Sequence, residues 1–384
     1  MRIFHLLLFC GGLTVWVSCS KSSGPSTSSG GVKDTAALPN TVEKTDTLTV
    51  MAYNILNYGD GCQGSTQTLD AYFKTILQFV QPDLLSCEKM SPFPLTPGAA
   101  GNLADEISNN VLNADFPGAY SYATPTNASG DKPSVLFYNK QKLTYVKTET
   151  LVVNISDFDL YKLYYNDPNL SITRDTTFLY VVVNHTQSGS SSTSRDQQVT
   201  VEMQALRNKF SSFPNLINMG DFNTRNSLEA GYQSIISSVD SSTMMSDPPF
   251  FPDRKVTYPA NWDVSPYLFE PYLTTSTRLS ASIPNSCGTS GGANSWYDHI
   301  FISSWLTGGA NYVQYLPGSY QTIGNDGNRL GADVNSASPV ANGSVPAAVA
   351  DALFQFSNKY PVSIRLVVKA NRNANSLTDP VERN

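Results

Sequence analysis

The sequence predicts an α/β domain, because strand and helix patterns alternate and polar residues end the strands. Residues 48–54 form an apolar strand that ends on Asn54, and residues 82–88 form a second one that ends on Glu88. Between them, residues 69–79 place apolar side chains on one face of a helix. Such a strand–helix–strand unit carries its chemistry at the strand ends. Further strands are predicted at 134–138, 178–184, 216–219, 297–303 and 362–368.

The composition indicates a domain with a hydrophobic core of full size. It argues against the binding of polyanions over an extended surface. The chain has 384 residues, of which 40% are hydrophobic. Its 25 Lys and Arg residues stand against 31 Asp and Glu residues. A mildly acidic protein does not attract duplex DNA over a wide surface. A small phosphorylated substrate fits this charge balance better.

The N-terminus resembles an export signal. Met1 and Arg2 precede an apolar run at residues 3–17, which is too short to span a bilayer. Ser18 and Cys19 then resemble the end of a bacterial lipobox, in which Cys19 would carry the lipid, and ordinary secretion is the alternative. We therefore expect an exported lipoprotein of the bacterial envelope, in the periplasm or on the outer surface, held to the membrane by its lipid alone.

The composition also divides the chain into regions. Residues 20–31 consist of Ser, Gly, Lys, Thr and Pro, which is typical of a flexible tether. The last residues are polar and short of apolar side chains. We predict a signal peptide at 1–18, a lipid-anchored tether at 19–45, a folded domain at 46–369 and a polar tail at 370–384.

Three cysteines remain outside the signal and the lipid site. Cys62 and Cys287 lie in glycine-containing loops and are able to pair in an oxidising compartment, but the sequence leaves open whether they do. Cys87 lies in an apolar strand, where a buried thiol is expected. An odd number of thiols cannot pair completely within one chain.

Polar residues also mark the ends of other predicted strands. His185 follows the strand at 178–184, while Asp221 and Asn223 follow the strand at 216–219. Asp298 interrupts the strand at 297–303. Any one of these residues is equally well explained as a turn or cap, because Asn and Asp favour turns.

Taken in order, the segments resemble the endonuclease/exonuclease/phosphatase superfamily. The resemblance extends from about Leu48 to Val368, and the Gly-Asp-Phe-Asn segment is its most specific marker. Residues 273–278 also resemble secreted members from Bacteroidetes-type bacteria. The resemblance implies a four-layer α/β sandwich, in which two mixed sheets pack face to face with helices outside. The markers are Met51-Ala-Tyr-Asn54, Pro82-Asp-Leu-Leu-Ser-Cys-Glu88, Asn184-His185, Gly220-Asp-Phe-Asn223 and Trp296-Tyr-Asp298-His-Ile-Phe-Ile-Ser303.

The same resemblance implies roles for the residues in the markers. Asn54 and Glu88 would hold a Mg²⁺ or Mn²⁺ ion, since hard divalent ions take oxygen ligands. Asp221 would position or deprotonate the attacking water. Asn223 and His185 would donate hydrogen bonds to the charge that grows on the phosphate oxygens.

One part of the superfamily pattern is missing from this chain. Active relatives end with a Ser-Asp-His motif before a Pro-Val strand, and its histidine takes a proton from water. Asn358 and Lys359 stand in place of Asp and His. Asp298, which would orient the missing histidine, is expected to pair with Lys359 and keep it charged. His299 is expected to face away from the site, because adjacent strand residues point to opposite faces.

Two further features have competing interpretations. Arg174 and Arg195 flank the strand at 178–184 and are candidates to contact a substrate phosphate, although exposed arginines are common on any surface. The aromatic-rich loop at 247–278 is either a stacking platform for bases or sugars, or a long loop that its own rings pin to the domain.

Two functions are therefore in competition. The first is a divalent-metal-dependent hydrolase of phosphoester or phosphodiester bonds at the cell envelope. It would act as a monomer on a phosphorylated small molecule or a nucleic acid fragment. Asn358 and Lys359 would weaken or alter its activity. The second is a non-catalytic protein that uses the same rim to bind phosphorylated or sugar ligands.

Overall fold

The computed structural model describes residues 37–128, 130–153, 157–280 and 287–373. The expected signal peptide, Cys19 and the residues from 374 onward lie outside these ranges. The strands are β1 (Thr45–Tyr58), β2 (Leu84–Met90), β3 (Tyr120–Ala123), β4 (Val135–Asn139), β5 (Leu143–Val152), β6 (Phe158–Tyr165), β7 (Phe178–His185), β8 (Leu216–Asp221), β9 (Met245–Ser246), β10 (Asp298–Ser303), β11 (Val313–Tyr315), β12 (Gln321–Thr322) and β13 (Val362–Lys369).

The strands form two mixed sheets. The first has the order β11-β13-β1-β2-β4-β3, with β12 also paired to β13, and the second has the order β5-β6-β7-β8-β10-β9. The central pairs β1–β2 and β7–β8 are parallel, and their neighbours are antiparallel. The sheets face each other through β1, β2 and β13 on one side and β7, β8 and β10 on the other.

Helices cover the outer faces of both sheets. The helices are α1 (Thr66–Val80), α2 (Leu103–Glu106), which continues as a π-helical turn (Ile107–Leu112), α3 (Leu170–Thr173), α4 (Thr193–Lys209), α5 (Ala230–Ile236), α6 (Ser304–Gly308) and α7 (Ala347–Phe356). Helices α1 and α7 pack together beside the first sheet, and α4 packs against α5 and β5 beside the second. This arrangement is the predicted four-layer α/β sandwich.

The sequence located the central elements but omitted several peripheral ones. The helix predicted at 69–79 lies within α1, and the predicted strands correspond to β1, β2, β4, β7, β8, β10 and β13. Strands β5 and β6, which pair along most of their length, were not predicted. Strand β5 lies at the edge of its sheet, and its residues do not alternate cleanly between polar and apolar.

Segments outside the predicted domain boundaries also contact the domain. The backbone of Val42, in the expected tether, exchanges two hydrogen bonds of 2.8 Å with the side chain of Asn169. Asn371, in the expected tail, is fully buried, and its backbone N–H donates to Asp167 at 2.6 Å. The folded body therefore extends at both ends past residues 46 and 369.

The structure answers the question about the cysteines. Cys62 and Cys287 are joined in a disulfide with their Cα atoms 5.8 Å apart, and Cys87 is a buried free thiol. Among the described residues, none of the helices has the length and hydrophobicity that a bilayer-spanning segment requires.

Candidate active site at the rim of the two sheets

Strand register brings the predicted polar residues together at one rim. Asn54 and Glu88 are partners in the parallel pair of β1 and β2. His185 and Asp221 are partners in the parallel pair of β7 and β8, and Asp221 also faces Asp298 of β10 across an antiparallel pair. Since the two sheets face each other, these five side chains meet at one end of the sandwich.

Lys359 completes the rim between the sheets. Its ammonium lies 2.9 Å from Asp221 and 3.5 Å from Asp298. The lysine precedes β13, where its backbone N–H donates to the hydroxyl of Ser357 at 3.2 Å and that hydroxyl donates to the carbonyl of Asn54 at 2.8 Å. The structure contains the expected contact with Asp298, but the nearer carboxylate is Asp221.

The charges in this cluster depend on one another. Burial by itself lowers the pKa of Lys359, but Asp221 and Asp298 outweigh that effect and raise it, so the lysine stays charged. Burial by itself raises the pKa of Asp221, but Lys359 and His185 outweigh that effect, so its pKa falls. Burial raises the pKa of Asp298 and the negative charge of Asp221 adds to this effect, although Lys359 opposes both. A strongly acidic Asp221 is a poor general base.

Glu88 is the least satisfied group at the rim. The residue is fully buried, and neither oxygen of its carboxyl group has a hydrogen-bond partner among the described residues. Burial raises its pKa well above the usual value, and the nearby Asp298 and Asp221 add to this effect. The hydroxyl of Ser86 lies close enough to oppose this effect, but it does not meet the geometry of a hydrogen bond. Asn54 donates from its amide nitrogen to Asp221 at 2.8 Å, while its amide oxygen accepts from the backbone N–H of Leu56 at 3.0 Å.

His185 and Asn223 lie on the second sheet's side of the site. Burial, together with the ammonium groups of Lys89 and Lys359, lowers the pKa of His185 to about 4, although the charge of Asp221 opposes them. The imidazole is therefore neutral at pH 7. Asn223 donates from its amide to the carbonyl of Thr186 at 3.0 Å and from its backbone to Asp221 at 3.0 Å.

These residues border a cavity of about 330 Å³. Glu88 and Asp298 lie behind its walls. Lys359 enters it with its ammonium 4.7 Å from the ring centre of Tyr297. The lining residues are Asn54, Lys89, Asp131, Lys132, His185, Thr186, Gln187, Ser188, Asp221, Asn223, Thr275, Gly288, Thr289, Tyr297, Asn358 and Lys359.

The disulfide loop forms one wall of the cavity. Asn358 donates to the hydroxyl of Thr289 at 2.6 Å. Between Thr289 and the disulfide-bonded Cys287 lies Gly288, which has a φ of +81°. A Cβ atom at this position would lie 2.8 Å from side-chain atoms of both Leu56 and Asn358, so the close approach of this wall requires glycine.

Arg174 and Arg195, the weaker predicted contacts, are not among the lining residues of the cavity. Arg195 is buried in a two-point ion pair with Glu229, with nitrogen–oxygen distances of 2.7 and 2.6 Å. Arg174 is exposed just before β7, whose opposite end carries His185. The arginines therefore do not reach the site from these positions.

The other uncertain features belong to the core. His299 is fully buried, stacks on Trp296 with 4.7 Å between ring centres and lies 2.9 Å from Asp247, so it faces away from the cavity as strand alternation predicts. In the aromatic loop, Trp262 and Phe269 are buried, which supports the interpretation that these rings pin the loop to the domain. Other rings of the loop are exposed, namely Phe251, Tyr258 and Tyr267.

Sequence reasoning missed Lys89 and Lys132, which line the cavity. Lys89 directly follows Glu88, and that adjacency was the available signal. Lys132 lies in a loop outside the superfamily markers, so no motif pointed to it.

The fold is shared with solved structures of low sequence identity. TDP2 from D. rerio, complexed with a single-strand DNA product, is 12% identical with a TM-score of 0.51, covering 83% of this chain and 98% of that one. An endonuclease/exonuclease/phosphatase family protein from Bacteroides thetaiotaomicron is 13% identical with a TM-score of 0.48, covering 85% and 99%. A mannosyl-6-phosphatase from the same organism is 12% identical with a TM-score of 0.48, covering 83% and 99%.

No protein-family model matches the sequence, and no curated protein matches it. The similarity is therefore one of overall fold, which in this chain consists of two mixed sheets packed face to face with helices outside. The architecture that the resemblance implies is confirmed: the chain has an α/β sandwich fold like that of TDP2 from D. rerio.

Proposed function

We propose that the protein hydrolyses phosphoester bonds with the help of a divalent metal ion, at a rate reduced by the substitution of Lys359 for the expected histidine. The observation that carries this proposal is the buried carboxyl group of Glu88, whose two oxygens have no hydrogen-bond partner within the described ranges. Buried carboxyl groups in proteins are normally hydrogen-bonded, paired with a charge or bound to a metal. A bound divalent cation would satisfy both oxygens of Glu88.

The residues at the rim fit a Mg²⁺ or Mn²⁺ ion. Glu88 would be its carboxylate ligand, with support from the amide oxygen of Asn54, which accepts only one hydrogen bond from the described part of the chain. Mg²⁺ sites often have only one or two carboxylates, with water and substrate oxygens filling the other positions. Among the described residues, no three or more His, Cys, Asp or Glu side chains lie close enough together to hold a metal ion by themselves. The bound ion would polarise a phosphate oxygen and acidify a coordinated water.

The chain's own residues would bind and orient the phosphate. His185 is neutral, and a neutral imidazole carries one N–H, so the ring would act as a hydrogen-bond donor toward a phosphate oxygen. The amide of Asn223 has a second N–H beside the one bonded to Thr186. The ammonium of Lys359 would stabilise negative charge that grows on phosphate oxygens, but it has no lone pair with which to accept a proton.

The ion pair between Lys359 and Asp221 favours a second candidate function, the binding of a phosphorylated ligand without turnover. The ammonium lies 2.9 Å from the carboxylate that would position the attacking water. Loss of a general base typically lowers a rate by a factor of about 10²–10⁴. Such a loss leaves slow catalysis if the metal and the hydrogen-bond donors act, and leaves only binding if they do not.

Hydrolysis of bis-p-nitrophenyl phosphate and p-nitrophenyl phosphate, with Mg²⁺ or Mn²⁺ and an EDTA control, tests the proposal. We expect slow, metal-dependent turnover that Asp221→Asn and Glu88→Gln each abolish. The matched control is Glu43→Gln, since the Glu43 side chain is 84% exposed and lies outside the cavity. Turnover that is unchanged by EDTA, or unaffected in both site variants, would contradict the proposed hydrolase. A complete lack of turnover in folded wild-type protein would favour the binding function.

A further inference from the structure

Two lysines that the proposed hydrolysis does not use lie side by side at the cavity. The backbone N–H of Met90, which follows Lys89, donates to the carbonyl of Pro133, which follows Lys132, at 3.0 Å. Both lysines have a left-handed backbone, with φ angles of 61° and 57°. Both side chains line the cavity. A left-handed backbone is uncommon for lysine, and such local strain recurs at functional sites.

The cavity walls carry more positive than negative charge. Three lysines and two aspartates line it, although the protein as a whole has a formal net charge of −6. Asp221 already faces Lys359, and Asp131 lies 3.6 Å from Lys132 with its side chain 69% exposed. Lys89 forms no ion pair with any residue of the described chain. A local cationic pocket on an acidic protein favours a compact anion over a long polyanion.

We propose that Lys89 and Lys132 extend the phosphate site of this cavity, so that it binds the dianionic phosphate group of a phosphomonoester. A phosphomonoester carries a charge of about −1.5 to −2 at neutral pH, whereas the phosphate of a diester carries −1. Two lysine side chains that line the same cavity therefore favour the monoester. The cavity volume of about 330 Å³ suits a small phosphorylated molecule. This inference rests on the proposed function, because it names the substrate class of the same cavity.

Phosphate binding in EDTA tests this extended phosphate site separately from hydrolysis. Isothermal titration calorimetry with inorganic phosphate and with dimethyl phosphate compares a dianion with a monoanion on the full chain without metal. We expect phosphate to bind the wild-type protein at least about tenfold more tightly than dimethyl phosphate. Lys89→Met and Lys132→Met should each weaken phosphate binding about tenfold to a hundredfold, which is the range for one charge-assisted hydrogen bond.

Two controls separate a lost contact from a lost fold. Lys140→Met removes an exposed lysine outside the cavity and should leave phosphate binding unchanged. Lys89→Arg keeps the charge and should retain most of the affinity. Wild-type affinity in both methionine variants, equal binding of the two anions, or no phosphate binding by the wild-type protein would each overturn the extended phosphate site. Intact phosphate binding in a protein that hydrolyses nothing would overturn the proposed hydrolase alone.

Discussion

Replacing Lys359 by methionine should destabilise the protein strongly at neutral pH. The ammonium is buried between Asp221 and Asp298, at 2.9 and 3.5 Å, and both carboxyl groups are almost completely buried. Removing one partner of a buried ion pair leaves an uncompensated charge and typically costs about 3–5 kcal/mol. Asp221 loses its counterion, whereas burial raises the pKa of Asp298 so that it binds a proton readily, and Lys359→Met should therefore lose about that much free energy of unfolding at pH 7.

Urea denaturation at pH 7 and pH 5 measures this loss. The loss should shrink at pH 5, because carboxyl groups without a counterion bind protons more readily than water-exposed ones. The triple variant Lys359→Met, Asp221→Asn and Asp298→Asn should recover most of the stability, since it removes all three charges. Lys140→Met, a surface control, should change stability by less than about 0.5 kcal/mol. A loss below about 1 kcal/mol in Lys359→Met would refute the argument from burial and charge.

Two other predictions concern residues near the site. Burial raises the pKa of Glu202 to about 8 from its usual 4.5. Its contribution to stability is complete below pH 4.5 and falls by about 1.4 kcal/mol per pH unit up to pH 8. In a series of denaturation measurements over this pH range, Glu202→Gln should therefore show a smaller loss of stability per pH unit than the wild-type protein. An unchanged slope would contradict the raised pKa of Glu202. Gly288→Ala should cost about 1–3 kcal/mol, because the added Cβ would lie 2.8 Å from Leu56 and Asn358 at a positive φ. An unchanged melting temperature would contradict this prediction, because it would show that Leu56 and Asn358 move aside at little cost.

The sequence predicted the parts of the site that depend on strand ends. A polar residue that closes an apolar strand marks the rim of a sheet, and strand register then brings such residues together without further information. Asn54 and Glu88, and likewise His185 and Asp221, meet in this way. The alternation of side chains along a strand also placed His299 in the core.

Contacts made by long side chains between distant segments could not be predicted in this way. Arg195 looked like a phosphate contact, but it pairs with Glu229, which lies 34 residues away on another segment. Lys359 was expected to face Asp298, but it lies nearer to Asp221, because small differences in side-chain position decide between two neighbouring carboxylates. Such choices depend on tertiary packing, which local sequence patterns do not encode.

The most direct test of the proposed function is whether Glu88 holds a divalent ion. Titration of metal-free protein with Mn²⁺, followed by calorimetry and by the shift in melting temperature, measures binding without any assumption about the substrate. The proposal predicts one site in the wild-type protein, lost in Glu88→Gln and retained in Glu43→Gln. Equal Mn²⁺ binding by the wild-type protein and Glu88→Gln, or none by either, would contradict it.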